Sequence, residues 1–121
     1  MPTILVVEDE TSIRKLVAVN LSARGYDVIE AASAEDGLAQ LREVPFSLVL
    51  LDIKLPGMRG WDLLAAMSDD PRIPLDIPII VMTASVADVQ TQAQDYPHIV
   101  KILIKPFIID DLVQAVADVL G

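Results

Sequence analysis

The sequence contains no cysteine. That excludes disulfide staples and thiolate chemistry and is compatible with a reducing compartment. Aromatic residues make up only 4% of a chain that is 53% hydrophobic, so its core must be aliphatic, built from Val, Ile, Leu and Ala. Basic residues are also scarce: nine against eighteen acidic ones, a formal charge of −9. Phosphate contacts need clustered Lys and Arg, so this balance argues against binding nucleic acid through this domain, and it promotes solubility. No apolar run approaches the roughly 18 residues of a membrane span. Met1 to Glu10 carries no basic segment ahead of its apolar stretch. These absences point to a cytoplasmic protein with no membrane partner. Histidine occurs once, and His98 follows a proline, which suits a loop residue rather than a phosphohistidine on a helix face. Internal repeats, linkers and low-complexity tracts are missing too, so 121 residues suit one domain, residues 1–121.

What is present is organised around Leu48 to Gly57 (LVLLDIKLPG). A short apolar run that stops at Asp52 reads as a buried strand, covered on both faces as in a parallel sheet. Lys54, Pro56 and Gly57 then make a loop. In open α/β sheets, ligands bind at the carboxyl ends of strands, which is where Asp52 falls.

From the N-terminus, Thr3 to Val7 is the first strand and ends in Glu8-Asp9-Glu10. An acidic turn opening a helix is the plainer reading of those three acids, with Thr11 or Ser12 as cap. Ile13, Leu16, Val17 and Leu21 recur at helical spacing with Arg14, Lys15 and Asn20 on the other face, and Gly25 stops the helix. Tyr26 to Ala31 alternates as a second strand nearer the sheet edge. Ser33 and Asp36 form a capping-box-like pair for a helix carrying Leu38 and Leu41 that runs until Pro45. After the Asp52 strand, Gly60 to Met67 predicts a short helix and Ser68 to Asp76 a surface connection. Ile77 to Met82 predicts a fourth strand, ending in Thr83-Ala84-Ser85. Val86 to Gln94 is weakly helical, with only Val86, Val89 and Ala93 to bury. Ile99 to Ile104 predicts a fifth strand, ending in Lys105-Pro106-Phe107. Asp110-Asp111 opens a last helix with Ile109, Leu112, Val113, Val116 and Leu120 inward. Five strands alternating with helices specify a doubly wound α/β fold with a parallel sheet and right-handed crossovers.

Glu8-Asp9, Asp52, Thr83 and Lys105 then follow four different strands at one carboxyl edge. Carboxylates crowded there repel one another unless a cation sits between them. A hard divalent ion such as Mg2+ accepts two carboxylates, a main-chain carbonyl and waters. Asp52 can act as a nucleophile toward a phosphoryl group, Lys105 can pair with the phosphoryl oxygens, and the Thr83 hydroxyl can donate to one of them. Phosphoryl transfer needs mainly positioning and charge neutralisation. Singly, Lys105 reads as a surface lysine and Thr83 as a helix cap; jointly they read as a site.

On Glu8-Asp9, Asp52 with Pro56 and Gly60 beyond it, Thr83-Ala84 and Lys105-Pro106-Phe107, the chain resembles the receiver domains of bacterial two-component response regulators over Thr3 to about Leu120. The resemblance implies a flavodoxin-like sheet of order 2-1-3-4-5 with five helices. It implies phosphorylation of Asp52 by a sensor histidine kinase or phosphotransfer protein, and Mg2+ at Glu8, Asp9, Asp52 and the Lys54 carbonyl. It also implies a switch through Thr83 to a downstream effector domain or protein, and it allows a phosphorylation-dependent homodimer. It implies a phosphoacceptor that assists its own chemistry rather than an enzyme.

The chain departs from the family at Ile102, three residues before Lys105, where an aromatic switch residue is usual. Tyr96-Pro97-His98 stands where a Gly-Ala pair is usual. Lys54 and Ser85 occupy positions that tune loss of the phosphoryl group. A receiver kept only as an interaction module would lack part of the acid–Asp–Thr–Lys set. A haloacid-dehalogenase-like phosphatase would want a second Asp where Lys54 stands. A nucleotide or flavin site would not tolerate Glu8-Asp9-Glu10 after the first strand. With no effector domain in these 121 residues, the chain is expected to be a stand-alone receiver, or a piece cut from a longer regulator or hybrid kinase.

Overall fold

The computed structural model describes residues 2–55, 57–84 and 86–121. Pro56 and Ser85, singled out above, lie outside the described residues, as does the side chain of Val86. The elements run β1 (Thr3–Val7), α1 (Thr11–Ser22), β2 (Asp27–Ala31), α2 (Ala34–Glu43), β3 (Leu48–Asp52), α3 (Gly60–Asp69), β4 (Ile79–Thr83), α4 (Val86–Ala93), β5 (Ile99–Ile104) and α5 (Ile109–Leu120). The strands form one parallel sheet in the order β2-β1-β3-β4-β5.

The period of two in each strand splits the core in two. Leu5, Val7, Val49, Leu51, Ile79 and Val81 face α2 and α3, where Leu38, Leu41, Leu63, Leu64 and Met67 meet them. Ile4, Val6, Leu48, Leu50, Ile80 and Met82 face α1 and α5, against Val17, Leu21, Leu112, Ala115 and Val116. All five residues of β3 and of β4 are buried, which is why both read as unbroken apolar runs. β2 lies at one edge, as its alternation predicts, and β5 at the other, with Val100 and Ile104 half-exposed. Among the described residues no helix is long and apolar enough to cross a membrane.

Several expectations need correction. Neither Thr11 nor Ser12 caps α1: Thr11 is its first helical residue, and Glu10 precedes it without a side-chain capping bond. Leu16 is not on the inner face; it is 51% exposed, and Val17, Ala18 and Leu21 form the buried stripe. α3 continues two residues past Met67 to Asp69. β4 starts at Ile79 rather than Ile77 and takes in Thr83. The Ser33 cap of α2 is present, with its hydroxyl oxygen accepting from the Asp36 amide at 3.1 Å.

The Ser68 to Asp76 connection is more than a surface loop. Asp70 is buried and accepts from Arg42 of α2 at 2.8 Å and from Arg72 at 2.9 Å. The Arg72 and Arg42 hydrogen bonds hold the Asp70 carboxyl well below the usual carboxylate range.

Candidate functional site

Parallel pairing brings the strand ends level. Asp52 closes β3 opposite Met82, and Thr83 closes β4 opposite Ile104. Beyond β5 the Lys105 amide donates to the Thr83 carbonyl at 2.7 Å, which carries the ladder one step further and sets the lysine beside β4. Beyond β1 the Glu8 amide does the same to Ala31 at 3.1 Å. Glu8, Asp52 and Thr83 are therefore fixed by sheet hydrogen bonds before any ligand is considered, and all three are buried.

The side chains converge on one point. Lys105 Nζ donates to Asp52 Oδ2 at 3.0 Å and to Glu8 Oε1. Glu8, exposed Asp9 and Asp52 each offer a carboxylate oxygen, and these oxygens lie within 4.8 Å of one another. The Lys54 amide donates to Asp52 Oδ1 at 3.1 Å, so the backbone after β3 folds back over the aspartate. Gly60 closes this turn: its amide donates to the Ile53 carbonyl at 3.1 Å. A Cβ at that position would lie 2.8 Å from Ile53 Cα and 2.9 Å from the Asp52 carbonyl oxygen, a space only glycine fits.

Burial, reinforced by a side-chain hydrogen bond to Asp52, pushes the Glu8 carboxyl up to about 7 against the pull of Lys105. For Lys105, burial disfavours the charge, but the Glu8 and Asp52 hydrogen bonds outweigh it and hold the ammonium above its ordinary value. One lysine thus leaves three clustered carboxylates short of positive charge. An all-oxygen donor set with excess negative charge fits a hard divalent cation.

Glu8, Asp9, Asp52 and Lys105 are brought together as the sequence predicts. Thr83 stands at the same edge on the next strand, and Lys54 reaches the site through its backbone. His98 does not belong to it: its carbonyl accepts from the Ile79 amide at 2.8 Å, at the opposite edge of the sheet.

Two features escaped sequence reasoning. Arg14, assigned there to the solvent face of α1, is only 12% exposed at its side chain; it donates to the Glu8 carbonyl at 2.9 Å and to Glu30 at 3.2 Å. An apolar groove of about 400 Å³, lined by Ile13, Leu16 and Phe107, opens beside Lys105. The wrong-way Leu16 and the apolar residue two places after the lysine were its only signals.

The sequence matches the response regulator receiver domain family over residues 4–117. It is 36% identical over 102 residues to the transcriptional regulatory protein AfsQ1 of Streptomyces coelicolor, covering 79% of this chain and 44% of that protein. It is 33% identical over 121 residues to the response regulator receiver protein CpdR of Brucella abortus, covering 99% of this chain and 98% of that one. The crystal structure of response regulator protein TrrA from Thermotoga maritima in complex with Mg2+-BeF superposes with a TM-score of 0.82 at 28% identity, covering 98% of this chain and 99% of that one. The chain spans about half the length of curated relatives such as AfsQ1.

Proposed function

The chain belongs to the response regulator receiver domain family of two-component phosphorelay signalling, and we propose that Asp52 is its phosphoryl acceptor. The observation that carries this reading is the shared lysine: Lys105 Nζ reaches both Asp52 and Glu8, so the ends of three strands meet at one ammonium.

In the proposed reaction a carboxylate oxygen of Asp52 attacks the phosphorus of a phosphohistidine. An O–P bond forms, the P–N bond breaks, and the imidazole leaves with the electron pair and takes up a proton. Glu8, Asp9, Asp52 and the Lys54 carbonyl would hold Mg2+, which when bound supplies charge neutralisation at the phosphoryl oxygens. The Lys105 ammonium exchanges its carboxylate partners for a phosphoryl oxygen, and the Thr83 hydroxyl donates to another.

The donor would be a sensor histidine kinase or phosphotransfer protein. The groove of Ile13, Leu16 and Phe107 beside Lys105 supports a protein donor, because it offers apolar surface next to the acceptor. Output passes to an effector domain or protein, and a phosphorylation-dependent homodimer is one form it can take. With Glu8, Asp9, Asp52, Thr83 and Lys105 all in place, the site has what a phosphoacceptor needs, which disfavours a phosphorylation-independent module. A cytoplasmic setting follows from the kinase partner.

The test is acetyl phosphate with Mg2+ followed by intact mass. The parent should gain one phosphoryl group and Asp52→Asn none; equal labelling of the two would place the acceptor elsewhere. Mg2+ at a hundredfold excess over Kd should also add about 2.7 kcal/mol of stability, and Asp9→Ala/Asp52→Ala should lose that gain.

A further inference from the structure

Arg14 lies outside the set of residues that would touch the metal or the phosphoryl group, yet its side chain is only 12% exposed. Its Nη1 donates to the Glu8 carbonyl at 2.9 Å, and its Nε to Glu30 Oε1 at 3.2 Å. Glu30 in turn accepts from Lys15 at 3.0 Å, so α1 grips β2 with two cations. The Glu8 peptide is held on its other side by its own amide, which donates to Ala31 at 3.1 Å. Both backbone polar groups of Glu8 are thereby tied down, and its side chain accepts from Lys105 in the site.

We propose that Arg14 is a positioning residue for the acidic cluster: bridging Glu30 and the Glu8 carbonyl, it holds the Glu8-Asp9 backbone at the setting from which their carboxylates reach a divalent cation with Asp52. This rests on the reading of the cluster as a Mg2+ site. A lysine cannot replace it, since one ammonium on a flexible stem lacks the fork that spans both acceptors.

Electrostatics and positioning predict opposite signs. If Arg14 were only a nearby positive charge, removing it would tighten binding of a dication. If it positions the ligands, removing it weakens binding, as loss of outer-shell partners does by about 10–100-fold.

The experiment titrates Mg2+ alone into metal-free protein, followed by calorimetry, for the parent, Arg14→Met and Arg14→Lys. Binding by the parent supports the metal site itself, and its absence would sink that reading before Arg14 is in question. Given parent binding, we expect Arg14→Met to raise the Kd at least tenfold. Arg14→Lys should weaken binding in the same direction despite keeping its charge. Amide exchange of residues 8–10 in the metal-free variants should be faster than in the parent. If Arg14→Met does not fold, Arg14→Lys, which keeps the charge and loses only the fork, carries the same test. A Kd unchanged or lowered in the folded variant overturns the proposal.

Discussion

Lys105 Nζ stands 3.0 Å from Asp52 Oδ2 and donates at the same time to Glu8 Oε1, so one cation serves two buried carboxylates at the ends of different strands. Removing one partner of a buried ion pair leaves an uncompensated charge, at about 3–5 kcal/mol. The lysine side chain is 16% exposed, which moves the expectation to the bottom of that range or just below it. We expect Lys105→Met to lose about 2–3 kcal/mol at pH 8 without divalent metal, and Mg2+ to restore much of it by taking over the neutralisation. Denaturant unfolding with and without Mg2+ measures both. A variant as stable as the parent under metal-free conditions would mean that Lys105 carries no such charge.

The pH dependence has a definite sign. In the folded protein burial raises Glu8 from 4.5 to about 7, so between these values the native state binds more protons than the unfolded chain. Stability must then fall as pH rises through that window. Taken alone the shift amounts to at most about 3 kcal/mol. Metal-free protein should therefore lose stability from pH 4.5 to 7, and Glu8→Gln should flatten the slope. Asp70 acts oppositely: its depressed carboxyl contributes stability above pH 3.8 that is lost on acidification. Melting curves across pH 3–8 should show both limbs, and an unchanged slope in Glu8→Gln would remove Glu8 as the cause.

Gly60 makes a sharper steric case. Its missing Cβ would sit 2.8–2.9 Å from the backbone of Ile53 and Asp52, atoms that cannot rotate aside. Gly60→Ala should cost about 1–3 kcal/mol, as overpacking does. It should also slow phosphoryl uptake, because the atom it presses is the carbonyl oxygen of Asp52 itself. A variant with parental stability and labelling would show that the turn can open without moving Asp52.

How much of this was legible beforehand depended on the range of the signal. β1 and β5 could be bounded from their β-branched runs alone, and Asp52 from the break in an apolar run. The site followed because parallel topology sends every strand end to one edge. Leu16, Arg14 and Asp70 were misjudged for a common reason. Helical spacing assigns a face, but a groove beside Phe107, a carbonyl at Glu8 and arginines at positions 42 and 72 are tertiary partners that no periodicity encodes. Burial of a polar side chain is decided by such partners.

The proposed phosphoryl switch should take a route other than an aromatic flip in this chain. Ile102 has no ring to swing, and it packs as a partly buried residue against the core on the α2–α3 face. The alternative runs through Thr83, which ends β4 beside Asp52 and whose carbonyl holds the Lys105 amide at 2.7 Å. We expect a phosphoryl group on Asp52 to draw the Thr83 hydroxyl toward it. Next in the chain after β4 comes α4, an eight-residue helix in which Val89 is the buried apolar residue among the described side chains. The sequence of this segment offers few apolar residues, and segments with few apolar contacts open at low free energy, so we expect a small bias at its start to shift or order it. We expect hydrogen exchange with Mg2+ and beryllofluoride to change most in residues 83–95, and Thr83→Ala to blunt that change while Asp52 still takes up the ligand. Unchanged protection there at full occupancy of Asp52 would mean that the signal leaves by another path.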